Sequence, residues 1–173
     1  MLNMDVGIFV LRLLIGLLIV GHGARKLFGW FGGKGLQDTT RWMESMNFRP
    51  PRFWAVIAGL GEFLGGLGLT LGLYTPISSA LLIGALLMAI LKVHWSHGLW
   101  ASNNGFEYPL VNLVVTAFLG LWGPGLYALD RVFNLSYPTP TTFTVALLVV
   151  IAGVIIALAT TAHQATSVRH QTS

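Results

Sequence analysis

Glu62 stands in the run Gly59-Leu60-Gly61-Glu62-Phe63-Leu64-Gly65-Gly66-Leu67-Gly68, where no sequence neighbour can neutralise it. A charged side chain at the centre of a membrane span costs at least ~2.5–3.5 kcal/mol, so this carboxylate needs a partner and is a candidate for function. Arg12, His22, Lys26, His94, Glu107 and Asp130 are further ionisable residues within or beside apolar runs. A carboxylate, an ammonium and imidazoles that titrate near neutral pH can together exchange protons with a bound molecule. The same groups can also serve only to lock helices together, because every buried charge requires compensation. No metal site is expected: His94 and His97 are spaced i, i+3 at a helix end, with no carboxylate alongside.

The elements that position these groups follow from composition. Only 9% of residues are charged and 54% are hydrophobic, against about a quarter charged in a soluble domain. Such a chain cannot cover a water-facing surface and reads as an integral membrane protein. Apolar runs cover Val6–Ala24, Trp54–Leu73, Ile77–Trp95, Pro109–Trp122 and Thr142–Ala162, most of them near the roughly 20 residues that cross a hydrocarbon core. The fourth run is short and crosses only if residues 123–129 continue it irregularly. The expected fold is all-α, a polytopic transmembrane bundle with a four-helix core (residues 1–133) and a fifth C-terminal span with a polar tail (134–173). The first run lacks a small-residue cleavage pattern and reads as an anchor that stays attached.

Arg25, Lys26, Lys34, Arg41, Arg49 and Arg52, six of the ten basic residues, flank or occupy the connection between spans one and two. The positive-inside rule then puts that connection in the cytoplasm, the N-terminus outside and the C-terminus inside. The basic balance is a topology signal, and no nucleic-acid partner is implied. Within the connection, residues 36–48 alternate Leu36, Met43 and Met46 with Asp38, Arg41 and Glu44, which reads as an interfacial helix anchored by Trp42. Cysteine is absent, which excludes a thiolate nucleophile, a CxxC centre and a cysteine-held iron–sulfur cluster within this chain.

At 100° per residue, Asp5, Arg12, Gly16, Gly23 and Lys26 share one face of span one, with His22 about 40° away. Gly61, Gly65, Gly68 and Gly72 share a face of span two and allow close approach of another helix, with Glu62 at its edge. A rise of ~1.5 Å per residue sets Glu62 and His22 at similar depth, with Lys26, His94 and Glu107 nearer the cytoplasmic surface. These five form the expected intramembrane cluster, and Arg12 with Asp130 is the expected pair at the outer side.

Gly21-His22-Gly23-Ala24-Arg25-Lys26-Leu27-Phe28-Gly29, Phe48-Arg49-Pro50-Pro51, Gly61-Glu62-Phe63-Leu64-Gly65-Gly66, Leu71-Gly72-Leu73-Tyr74-Thr75-Pro76, Gly105-Phe106-Glu107-Tyr108 and Gly123-Pro124-Gly125-Leu126-Tyr127-Ala128-Leu129-Asp130 follow one another in the order of a known family. From about Val6 to Phe133 the chain resembles the DoxX family. The resemblance implies a small helical bundle in the bacterial inner membrane, associated with quinone-linked oxidoreduction and redox stress. It supplies no catalytic residue set.

The leading functional expectation is therefore a membrane component of a redox system. It would bind a quinone or similar lipophilic molecule at the polar cluster, with Trp30, Phe31 and Trp95 as walls, and would depend on redox partner proteins because the chain holds no evident electron carrier. A proton-coupled small-molecule carrier and a noncatalytic docking subunit are the alternatives. Haem ligated by His22 and His94 is the minor variant. Substrate and oligomeric state are not legible.

Overall fold

The computed structural model describes residues 4–171, with side chains described as far as residue 161; residues 172–173 of the expected polar tail lie outside the described residues. Helices α1 (Met4–Phe28), α2 (Gly35–Ser45), α3 (Pro51–Leu71), α4 (Thr75–Ala89), α5 (Glu107–Trp122), α6 (Leu129–Val132) and α7 (Thr139–Gln171) make up the fold, and no strand occurs among the described residues. Four segments are long and apolar enough to cross a membrane: Met4–Phe28, Pro51–Leu71, Thr75–His97 and Thr139–Thr161. The α5 helix has 16 residues, or about 24 Å of rise, short of a hydrocarbon core. An irregular segment, residues 123–128, and the single turn of α6 follow it.

Helices α1, α3, α4 and α5 form a ring, and α7 packs on the outside of α4 and α5. Ile8 and Ile19 of α1, Leu69 of α3, Leu82 of α4 and Leu119 of α5 meet in the centre, all nearly or fully buried. The four-helix core with a fifth span beside it is thus the architecture the apolar runs imply. Over residues 139–161 most of α7 faces outward, as the lack of charge in that stretch suggests, yet Ala157 and Phe143 are buried against the bundle.

Glycine sets the helix spacing, on two faces rather than one. A Cβ on Gly16 or Gly66 would lie 2.7–2.8 Å from backbone of the opposite helix, and one on Gly23 would lie 2.5 Å from the Phe63 amide nitrogen, so α1 and α3 touch backbone to backbone. Gly65 and Gly68 face Leu82 and Ser78 of α4 instead. Gly61, expected on the packing face, has no neighbour within 4 Å of where its Cβ would stand.

The connection from α1 to α3 doubles back. Gly29, Phe31, Gly32 and Gly35 have positive φ, and Gly33 rests on the backbone of Arg25. This folds α2 over the ends of α1 and α3, where the Thr39 hydroxyl donates to the carbonyls of Lys26 (3.1 Å) and Gly35 (2.9 Å). Met43 and Phe48 are buried beneath it, while Arg41 pairs with Asp38 and Arg49 with Glu44 on the exposed side. The amphipathic helix expected at residues 36–48 is present, three residues shorter at its C-terminal end.

At the other end of the bundle, Gly72 closes α3 in the left-handed conformation (φ 66°) and α4 starts at Thr75. The α4 helix does not end cleanly. It widens into a π-helical turn, Ile90–His94, and then tightens to a 3-10 turn, Trp95–His97.

Candidate functional site

The close approach of α1 and α3 at Gly23 puts the last turn of α1 beside the middle of α3. Lys26, one turn beyond Gly23, there forms an ion pair through Nζ with Oε1 of Glu62. The Glu62 side chain is 10% exposed and that of Lys26 25%, so the pair is largely withdrawn from its surroundings. Oε2 of Glu62 is buried and has no hydrogen-bond partner. A buried carboxylate oxygen left unengaged costs on the order of 1–3 kcal/mol, which an incoming donor would recover.

A cavity of about 490 Å³ adjoins this pair, within the size range of small-molecule sites. Lys26 and Glu62 stand on one side. The α4 helix forms its back wall, α3 and α7 its flanks, and α2 with the following loop its cover, through residues that include Trp42, Met43, Phe48 and Met88. Both α3 and α7 pack on α4 rather than on one another, joined at the α2 end by the cluster of Met43, Phe48, Ala55 and Ala157. Leu64 and Val149, on opposite flanks, are more than half exposed. The cavity therefore opens sideways, toward the lipid that surrounds the span.

On its other side Lys26 borders a polar hollow lined with Lys34, Asp38, Thr39, Arg41 and Trp42. Lys26 and Trp42 belong to both spaces. Lys26 thus borders both an apolar chamber and a charged, open hollow.

Of the five residues expected to cluster, Lys26 and Glu62 are in direct contact. His22 lies on α1 within electrostatic reach of both, its ring 6.5 Å from that of Tyr108. His94 and Glu107 serve the loop between α4 and α5: His94 Nδ1 is 2.6 Å from the Asn104 carbonyl, and Glu107 accepts from the Ala101 amide at 2.9 Å. Neither they nor His22 line the cavity. Trp30, Phe31 and Trp95, expected as its walls, are 56–74% exposed and lie outside it. Trp30 instead packs against the rings of Phe28 and Phe31. Trp42, Phe48 and Trp54 line the cavity in their place; of these only Trp42 lies on α2, so the side-chain periodicity of that helix could hint at it alone. Lys92, which also lines the cavity, is a residue the sequence reading did not single out. No group of three or more His, Cys, Asp or Glu residues that could hold a metal occurs among the described residues.

Arg12 and Asp130 meet the same turn at the opposite end of the bundle. Arg12 is fully buried; Nη2 donates to the Tyr127 carbonyl, and the guanidinium lies 5.9 Å from the Phe9 ring. It presses against Gly72, where any Cβ would fall 1.5 Å from Nη1. Asp130 accepts from the amides of Tyr74 (2.8 Å) and Thr75 (3.2 Å), capping α4 from outside, and also from the Tyr137 hydroxyl. The two charges interact through space, while their hydrogen bonds go to other groups.

Against known proteins, the DoxX family model matches residues 7–95. Inner membrane protein YqjF of Escherichia coli strain K12 is 29% identical over 133 residues, covering 75% of this chain and 94% of that protein. A Bacillus subtilis strain 168 protein named "putative oxidoreductase CatD" is 29% identical over 132 residues, covering 74% of this chain and 87% of that protein. No solved structure matches. The region shared with the family model contains Lys26, Glu62 and Lys92 and ends before Glu107.

Proposed function

This chain belongs to the DoxX family, and from that premise we propose that it is a redox-linked component of a bacterial cytoplasmic membrane that takes a quinone-like ring molecule from the lipid into the cavity beside Lys26 and Glu62. One observation carries the reading: an apolar chamber, open to lipid, whose buried ion pair leaves Oε2 of Glu62 without a donor. A ring hydroxyl can donate to that oxygen, and the Lys26 ammonium can donate to a ring carbonyl, since an ammonium has three N–H groups. When a quinone is reduced it takes up protons: the Lys26 ammonium would give one to the reduced ring oxygen and be reprotonated from the polar hollow, and in the reverse, quinol-oxidising direction the Glu62 carboxylate would accept the proton of the ring hydroxyl. The electrons would come from a partner or a bound carrier. The oxidoreductase name of the Bacillus relative supports this class. The basic residues gathered around α2 support an orientation with the hollow toward the cytoplasm.

The test is calorimetric titration of a short-chain quinone analogue into detergent-purified protein. Saturable binding is expected for the parent, weakened about tenfold or more by Glu62→Gln or Lys26→Met, as for loss of a charge-assisted hydrogen bond. Each single variant also leaves an uncompensated polar group, costing up to ~3–5 kcal/mol when fully buried and less here because Lys26 is partly exposed. The double variant Glu62→Gln/Lys26→Met recovers thermal stability and does not recover binding. No saturable binding by the parent, or recovery of affinity in the double variant, refutes the proposal.

A further inference from the structure

Lys92 stands in a place that ordinary helix geometry would not give it. It lies at the centre of the π-helical turn Ile90–His94 that ends α4. Such turns are rare, occur often at functional sites, and shift the register of the side chains they carry. Here the turn brings Lys92 to the wall of the cavity. Its ammonium sits 5.6 Å from the centre of the Phe48 ring and donates to the Thr161 hydroxyl at 3.1 Å. One of its three N–H groups is thereby engaged and one face is covered, which leaves donor capacity toward the chamber.

The charge of the cavity wall follows. Lys26 and Glu62 cancel in their ion pair, and Lys92 makes no ion pair among the described residues. An apolar chamber with one uncompensated cation favours an occupant that brings the missing negative charge. Met43, Met46 and Met88 contribute polarisable, adaptable walls, and Trp42, Phe48 and Trp54 add ring faces. Both features fit a flat conjugated ring.

We infer that Lys92 is the specificity-determining residue of the cavity, and that the preferred occupant is a membrane-dissolved aromatic carrying an ionised hydroxyl, a phenolate or naphtholate, whose oxygen is held by the Lys92 ammonium. This rests on the proposed small-molecule reading of the cavity and narrows it to a class. A snorkelling lysine whose role ends at the lipid surface would show no such preference.

The experiment uses two probes of nearly the same shape: a dinitronaphthol, ionised at neutral pH, and its methyl ether, which carries no charge. Each is titrated into the detergent-purified full chain. The parent is expected to bind the naphtholate about tenfold or more tighter than the ether, the difference made by one charge-assisted hydrogen bond. Lys92→Met removes the preference, so that the two probes bind with equal affinity, while Lys92→Arg retains it. Lys92→Gln serves the same purpose if the methionine variant does not fold. Equal affinity of the parent for both probes, or a naphtholate preference that survives both Lys92→Met and Lys92→Gln, overturns the inference while the small-molecule reading stands. Failure of both probes to bind the parent overturns the two together.

Discussion

Asp130 gathers four donors at one carboxylate: the amides of Tyr74 and Thr75, the Thr75 hydroxyl and the Tyr137 phenol. Burial and the adjacent carboxylate push the Tyr137 phenol well above its ordinary value. The folded state therefore holds this proton more tightly than the unfolded chain does. The associated stability is complete below the unfolded value near pH ~10 and is lost as pH rises from there. Thermal unfolding in detergent should show a steeper loss of midpoint above that pH for the parent than for Tyr137→Phe, and parallel curves would contradict it. At this scale the sequence was legible where a residue lies on a regular helix. Lys26 and Glu62 lie on the faces that an undisturbed α-helical period implies, although the rise alone set His22, not Lys26, at the depth of Glu62. Lys92 was not legible, because its placement depends on a π turn that the 100° rule does not describe. His94 and Glu107 lay at the expected end of the bundle, but loop carbonyls and amides near them in sequence engage them first.

Between elements, the contact of α1 with α3 depends on atoms that are absent. Replacing Gly23 by Ala would put a methyl 2.5–2.8 Å from the backbone of Phe63, which the two helices can relieve only by separating. Overpacking of this kind costs about 1–3 kcal/mol. We expect Gly23→Ala to lower the unfolding midpoint and to weaken quinone-analogue binding, since separation draws Lys26 from Glu62. Gly61→Ala, with nothing within 4 Å of its Cβ position, should leave the midpoint unchanged and serves as the control. An unchanged midpoint for Gly23→Ala would show that the crossing has slack. The glycine periodicity announced close packing in α3 but not which glycine met which helix, because both of its faces are crowded and one sequence does not order its neighbours. The cover provided by α2 was half legible. Its amphipathic period showed an apolar face, and only the glycine turns before it determined that this face folds over the chamber rather than into lipid.

For the whole molecule, we propose that α5 crosses along with the four longer spans, which would place the two chain ends on opposite sides of the membrane and the loop before α5 on the same side as α2. Ser102 and Ser136 are both exposed and lie at opposite ends of the bundle. The chain has no cysteine of its own, so Ser102→Cys and Ser136→Cys can be labelled singly. In intact cells an impermeant maleimide should modify the residue 136 variant, and the residue 102 variant only after the membrane is opened. The reverse pattern would invert the orientation, and equal labelling of both would show that α5 does not cross. A crossing through its 16 residues would have to be completed by the irregular segment 123–128, where Arg12 donates to the Tyr127 carbonyl and Asp5 accepts from the Leu126 amide.

Because Lys26 borders both the chamber and the hollow, the membrane voltage enters the picture. A full crossing by one elementary charge exchanges about 2.3 kcal/mol with each 100 mV. In the proposed cycle, a proton passing between Glu62, near the middle of α3, and the hollow crosses up to about half of the span, so the field does up to about half of that work on it. If the redox partner delivers electrons from the hollow's side, the rate of the cycle should differ between energised and depolarised vesicles.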